Sequence, residues 1–282
     1  MRFIITGSGG CVSIPKALCQ CKICAEARDK GYPYARCICS LYLEDISLLI
    51  DTPEDINNAL NNTRITSVDA IAYSHWDPDH TLGMRVVEQL RLEWLEFFED
   101  KKPENPITVY ASKGVMEDIN GIKNVYGSYF EYYENMNLIK RQTVDNNIQI
   151  KDIRITFIPV PSEKNVTVFL FEQNEKKLLY APCDCLEFPE DKKIENVDIL
   201  IIGNVFTGDL LKNNTLIHEK HPLRKEFHSI ENVIKIKNQY NFNKVIVTHL
   251  EEFDGKSYDD YRMLEKRYQG IYFAYDGMKI EI

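Results

Sequence analysis

The stretch Ser74-His75-Trp76-Asp77-Pro78-Asp79-His80 constrains what this chain can fold into more than any other. It places four side chains able to bind metal, His75, Asp77, Asp79 and His80, within six positions, directly after the apolar run Val68-Asp69-Ala70-Ile71-Ala72-Tyr73. Such a run predicts a buried strand, and a short loop leaving its end can aim imidazole and carboxylate donors at a common centre. The plainer reading is an exposed loop whose Asp and His residues cap a helix beginning near Thr81. That reading leaves the density of donors unexplained.

The chain has 282 residues, of which 44% are hydrophobic. That suffices for a large core, and α/β folds of this size commonly form one domain, so 1–282 is expected to be a single domain. A formal charge of -9 gives no electrostatic footprint for nucleic acid, although a local basic pocket could still take a small phosphate ester. The start, Met1-Arg2-Phe3-Ile4-Ile5-Thr6-Gly7, reaches a glycine turn too soon for a signal peptide, and no apolar stretch is long enough to span a bilayer. A cytoplasmic protein with no membrane partner is expected. A homodimer is admitted by the sequence, not required by it.

Eight cysteines in a chain of this size, clustered at close spacing, suggest metal rather than disulfides. Cys19-Gln20-Cys21-Lys22-Ile23-Cys24 forms a C-x-C-x-x-C knot whose three thiolates can converge on one zinc ion without a long loop closure. Cys37 and Cys39 alternate along a predicted strand and Cys11 follows a glycine turn. These three read as packing residues.

Periodicity predicts strands over 2–6, 39–43, 47–51, 107–111, 153–160, 166–172, 177–181, 198–202 and 244–248. Helices are expected over 25–30, 53–61, 113–119, 230–240 and 258–266. A long helix over 81–98 is expected to present Leu82, Val86, Leu90 and Trp94 on one face. The segments 271–274 and 278–282 read as a closing hairpin turned at Asp276-Gly277. The aromatic run Tyr126 to Tyr133 has no clear period and more often means packing than a substrate platform.

The metal loop resembles the H-x-H-x-D-H signature of the metallo-beta-lactamase superfamily. Here it reads H-x-D-x-D-H, with Asp77 where the second histidine is usual. The resemblance implies an α/β fold, a four-layer αββα sandwich, with further ligands at later strand ends. Asp184, after Leu179-Tyr180-Ala181-Pro182-Cys183, stands where the fold supplies a bridging carboxylate. His249, after Val245-Ile246-Val247-Thr248, stands where it supplies its last histidine. The third-region histidine is missing: Ser162-Glu163 occupies its place, where either Glu163 substitutes as an oxygen ligand or Ser162 leaves the position to water. Carboxylates in place of imidazoles move preference from zinc towards manganese or iron.

Within the superfamily the chain is most similar to the cyclic phosphodiesterases of the carbon-phosphorus lyase pathway. The likeness is carried by Gly7-Ser8-Gly9-Gly10, the knot, Leu49-Ile50-Asp51, the metal loop, Val247-Thr248-His249 and Tyr275-Asp276-Gly277-Met278. It implies a structural zinc on Cys19, Cys21 and Cys24, with Glu252 at the position of the fourth ligand. It also implies a role for His228 beside the scissile phosphate, where an imidazole would stabilise charge or protonate the leaving oxygen. Asp79 and His228 are thus the candidate catalytic residues, and a small phosphodiester is the expected substrate, hydrolysed by a metal-activated water. An oxidoreductase or oxygenase of the same fold is the alternative, favoured by Asp77. A metal-binding scaffold without turnover is a third reading, favoured by the missing histidine.

Overall fold

The computed structural model describes residues 1–282. Two seven-stranded sheets carry the chain. The first runs, in spatial order, through Lys279–Glu281, Arg2–Gly7, Ser40–Leu43, Leu48–Ile50, Ala70–Ala72, Ile107–Ser112 and Ile139–Val144. The second runs through Ile271–Phe273, Lys244–Val247, Ile199–Ile202, Lys176–Ala181, Thr167–Gln173, Ile153–Pro159 and Asn147–Ile150.

Strand alternation sorts the apolar side chains into three cores, and the cores define the layers. Phe3, Ile5, Leu48 and Ile50 point inward and meet Phe157, Phe169, Phe171 and Tyr180 between the sheets. Their neighbours Ile4 and Leu49 point outward and pack beneath Ile56, Ala59 and Leu60 of the helix Ile56–Thr63 and Val115 and Ile119 of the helix Lys113–Asn120. On the far side, Leu170, Leu179, Leu200 and Val245 pack under Ile230 and Val233 of the helix Ile230–Gln239 and Tyr261 of the helix Tyr258–Arg267. Helix, sheet, sheet and helix make the expected four-layer sandwich. No helix is long and apolar enough to cross a membrane.

Two sequence expectations fail. The periodicity over 81–98 does not give one helix. The segment breaks into Pro78–Thr81, Val86–Arg91 and Trp94–Phe97. Gly83 interrupts it by packing its backbone against Pro53, whose carbonyl oxygen would lie 1.9 Å from any Cβ there. Leu82 and Trp94 are consequently 54% and 53% exposed and share no buried face with Val86. The closing segments do not pair as a hairpin either. Ile271–Phe273 lies beside Lys244–Val247 in the second sheet, while Lys279–Glu281 joins Arg2–Gly7 in the first. The buried Asp276 fixes this crossing: its carboxylate accepts from the Ser8 backbone N–H and hydroxyl and from the Cys37 N–H. A tight two-residue turn would leave those donors without a partner.

The register of the parallel strands positions the site. In the second sheet Ala181, Ile202 and Val247 are laterally aligned, so Cys183-Asp184, Asn204 and His249 all leave at one edge. In the first, Ile50 pairs with Ala72, which places Asp51 beside Ser74 and His75 at the matching edge. A backbone hydrogen bond from Thr167 N to Ser74 O, 2.8 Å, ties the two edges together.

Candidate metal centre

Asp51 organises the first-sheet side of the site. It is fully buried with a left-handed backbone (φ 64°), a conformation uncommon for a residue with a side chain. Its Oδ1 accepts from Ser74 N at 2.8 Å. Its Oδ2 accepts from Ser74 Oγ at 2.6 Å and pairs with His80 Nδ1 at 2.8 Å. The Ser74 hydroxyl proton points to Asp51, so His75 Nδ1, 2.9 Å away, donates to that hydroxyl oxygen. Both imidazoles thereby carry their proton on Nδ1. Their Nε2 atoms are left as lone pairs, buried and without a hydrogen-bond partner. Orienting a ligating histidine by a carboxylate on its other nitrogen is the way metal sites fix the tautomer. Burial opposes charge on His80, but the adjacent Asp51 prevails and raises its affinity for a proton, so its Nε2 offers a lone pair where a cation takes that proton's place.

The other donors gather around these lone pairs. His75 Nε2 lies 3.6 Å from Asp77 Oδ2, His80 Nε2 lies 3.5 Å from Asp79 Oδ2, and His249 Nε2 lies 3.3 Å from the same Asp79 oxygen. The His80 and His249 rings stack with centroids 5.6 Å apart, and those of His75 and His80 are 4.1 Å apart. His249 adopts φ 51° and Asp184 φ 47°, so two more site residues hold left-handed conformations directly after strands. Gly203 permits this crowding, since a Cβ there would meet Pro182 O at 1.6 Å and His249 Cβ at 2.8 Å. His75, Asp77 and Asp184 form one set of donors within ligating reach of one another, and Cys11, Asp79 and His249 form another. Asp79 is held well below the usual carboxylate range: burial would raise it, but the facing His249, His80 and His75 outweigh that.

Cys183 is a candidate ligand that sequence reasoning missed. Its thiol is buried within ligating reach of His75 and His80 and accepts from Asn204 Nδ2 at 3.4 Å. Burial would raise its pKa, yet His249, His75 and His80 lower it to about 5. The strand-to-loop rule that singled out Asp184 applies equally to the residue before it. Cys11 is corrected as well. It is exposed, beside Asp79 and His249, and its backbone N–H and thiol meet Glu251 Oε1 at 3.1 and 3.3 Å, so it packs no core. Cys37 and Cys39 are buried.

Two expected residues are not brought into the centre. Glu163 is exposed and stands outside every donor group; Lys164, the next residue, points its Nζ at Asp184 instead. His228 is buried with Nε2 3.0 Å from Cys185 O, so that nitrogen carries the proton and donates it to a carbonyl. Burial lowers its pKa, and the neutral ring is left with an acceptor at Nδ1. A charged or proton-donating imidazole is not what this arrangement offers. His228 braces the loop that carries Cys183 and Asp184.

A second donor group lies apart. Cys21 caps the helix Lys22–Lys30, which puts Cys24 in its first turn. Glu252 Oε1 lies 3.2, 3.1 and 3.7 Å from the sulfurs of Cys19, Cys21 and Cys24. Lys212 pairs with Glu252, and its Nζ is 3.5 Å from Cys19 Sγ.

The sequence profile of the beta-lactamase superfamily domain matches residues 47–250. The chain belongs to that superfamily. No match among curated proteins was found. Among solved structures, a diphosphatase of the PhnP family shares 19% identity at a TM-score of 0.71, over 100% of this chain and 97% of that one. Zinc-bound PqqB from Methylobacterium extorquens shares 20% at 0.73 over the whole of both chains. The short form of human tRNase Z shares 13% at 0.61, over 100% and 99%. At these identities the likeness speaks for the fold.

Proposed function

We propose that this chain is a metal-dependent hydrolase of small phosphodiesters, with a structural zinc in the cysteine knot. The observation that carries the reading is the pair of buried, unpartnered Nε2 lone pairs on His75 and His80, oriented by Asp51 towards Asp79, His249 and Cys183. Buried polar atoms are ordinarily satisfied, and converging lone pairs among carboxylates suit a cation. His75, His80, Asp79, His249 and Cys183 would hold it, with Asp77 and Asp184 alongside. A divalent ion supplies Lewis acidity and lowers the pKa of water at neutral pH. The chain's own residues fix the imidazole tautomers through Asp51 and Ser74, and neutral His228 holds the Cys183-Asp184 loop.

The thiol changes the expected metal. Asp77 alone argued for manganese or iron, whereas Cys183 adds a soft donor that suits zinc. A cleft of about 620 Å³ opens beside the centre, lined by Glu163, Lys164, Asp184, Glu187, Lys225 and Glu226 among others. That size accommodates a small molecule. Its charged lining, four carboxylates and two lysines, disfavours polyanions more strongly than a substrate with a single negative charge. The oxidoreductase alternative rests on Asp77 and Asp184 beside His75. The test is turnover of a chromogenic phosphodiester by zinc-loaded protein, with Asp79→Asn as control. Redox cycling of bound iron without diester turnover would favour the alternative.

A further inference from the structure

Two departures from the superfamily signature meet at one point in space. Asp77 replaces the second histidine of the metal loop, and Ser162-Glu163 stands where the third-region histidine is expected. Two residues beyond Ser162, Lys164 reaches over the rim of the centre. Its Nζ is 2.6 Å from Asp184 Oδ2 and 3.5 Å from Asp77 Oδ2. Those two carboxylates and His75 are one of the donor sets close enough to hold a cation, and a cation tethered to the chain already contacts both of them.

We propose that the Lys164 ammonium takes the place of a metal ion at the His75–Asp77–Asp184 subsite, so that the centre keeps one resident ion, on the side of His80, Cys183, Asp79 and His249. This rests on the metal-centre reading above and specifies how many ions it holds. The exchanged side chains balance in charge, since two neutral imidazoles are lost and one anion, Asp77, and one cation, Lys164, are gained, while a single positive charge stands where a divalent ion would be. Seen alone, Asp77 would add negative charge to a site that already has Asp184 and Asp79. Seen with Lys164, it is half of an ion pair. Lys164 holds two of this subsite's three donors, and an ammonium and a divalent ion on the same carboxylates repel strongly in a poorly hydrated site. At the knot Lys212 pairs with the single carboxylate, Glu252, and leaves three thiolate sulfurs to hold zinc. The lysine side chain is 52% exposed on the cleft wall. It therefore keeps an open face towards solvent, from which a phosphate oxygen could approach it as it would the missing ion.

The test is a count of metal in the full chain, loaded with excess zinc, desalted and measured by elemental analysis. Wild type is expected to retain about two ions per chain, one in the knot and one in the centre, and Lys164→Met about three, because three protein ligands suffice for an open zinc site. Lys164→Arg keeps the positive charge and should stay at about two. Lys164→Gln serves as a second neutral variant should the methionine disturb folding. About three ions in wild type, or an unchanged count in both neutral variants, overturns the inference and leaves the metal-centre reading standing. A wild-type count of about one overturns both if Cys21→Ser empties the chain; if that variant still holds one ion the knot is the empty site, and the inference is overturned unless Lys164→Met raises the count to about two.

Discussion

The cysteine knot and the central cluster are both sets of metal-type donors, yet they are assembled in opposite ways. Three of the knot's four donors, Cys19, Cys21 and Cys24, lie within one short segment, and a helix start positions the last of them. The central donors come from three strand ends and the loop after the first strand, spread from Cys11 to His249. The knot is a closed set around Glu252, with no donor left over for a substrate. The centre opens beside a cleft and includes a lysine. A closed set suits a structural ion and an open one suits chemistry. What distinguishes the two is the route the backbone takes to reach them.

This contrast can be broken by experiment, most severely by removing a central ligand. Asp79→Ala and His249→Ala should each reduce phosphodiester turnover to background while the knot's zinc stays in place. Retained turnover in either variant would remove the centre from the mechanism. Cys21→Ser should act the other way, releasing about one zinc and destabilising the chain by more than about 2 kcal/mol in denaturant titrations. If zinc content and midpoint do not move, the knot is no zinc site. Brief chelation should separate the sites kinetically: the central ion leaves first with loss of turnover, and far-ultraviolet circular dichroism holds until the thiolate-bound ion follows. Loss of both together would erase the distinction. Asp51→Asn should weaken central metal affinity by roughly 10–100-fold, since it removes the partner that orients His80. The smallest effect expected is from Cys183→Ser, which should tilt competition between zinc and manganese towards manganese without emptying the centre. An unchanged preference would mean the thiol is not a ligand.

How legible each region was in the sequence follows from the same contrast. The knot could be read because its spacing is local, and the metal loop for the same reason. The strands of both sheets were largely readable from alternation, since Phe3, Ile5 and Leu48 must point one way and Ile4 and Leu49 the other. Cys183 was overlooked, and Cys11 and Lys164 were not readable as site residues. Cys183 follows the same strand as Asp184 and carried the same local signal, whereas the placing of Cys11 and Lys164 depends on which strand ends become neighbours, which local pattern does not encode. The broken helix after His80 was misread because periodicity at Leu82 and Trp94 says nothing of Gly83 meeting the Pro53 carbonyl. The closing hairpin was misread because Asp276-Gly277 is good turn chemistry, and only the buried donors of Ser8 and Cys37 reveal that it spans two sheets.

One short turn serves both donor groups. His249 belongs to the centre and Glu252 to the knot, and Glu251 between them holds the backbone of Cys11. During synthesis the ribosome releases the cysteines and the metal loop long before this turn. Neither group can be complete until Glu252 has left the exit tunnel, and domains form as units only once their distant contacts exist. Nascent chains shorter than that hold exposed thiols and imidazoles without their last partners. Any metal ion that these donor groups take up would therefore find both sets complete at nearly the same moment, once this turn has emerged, with little opportunity to fill one before the other.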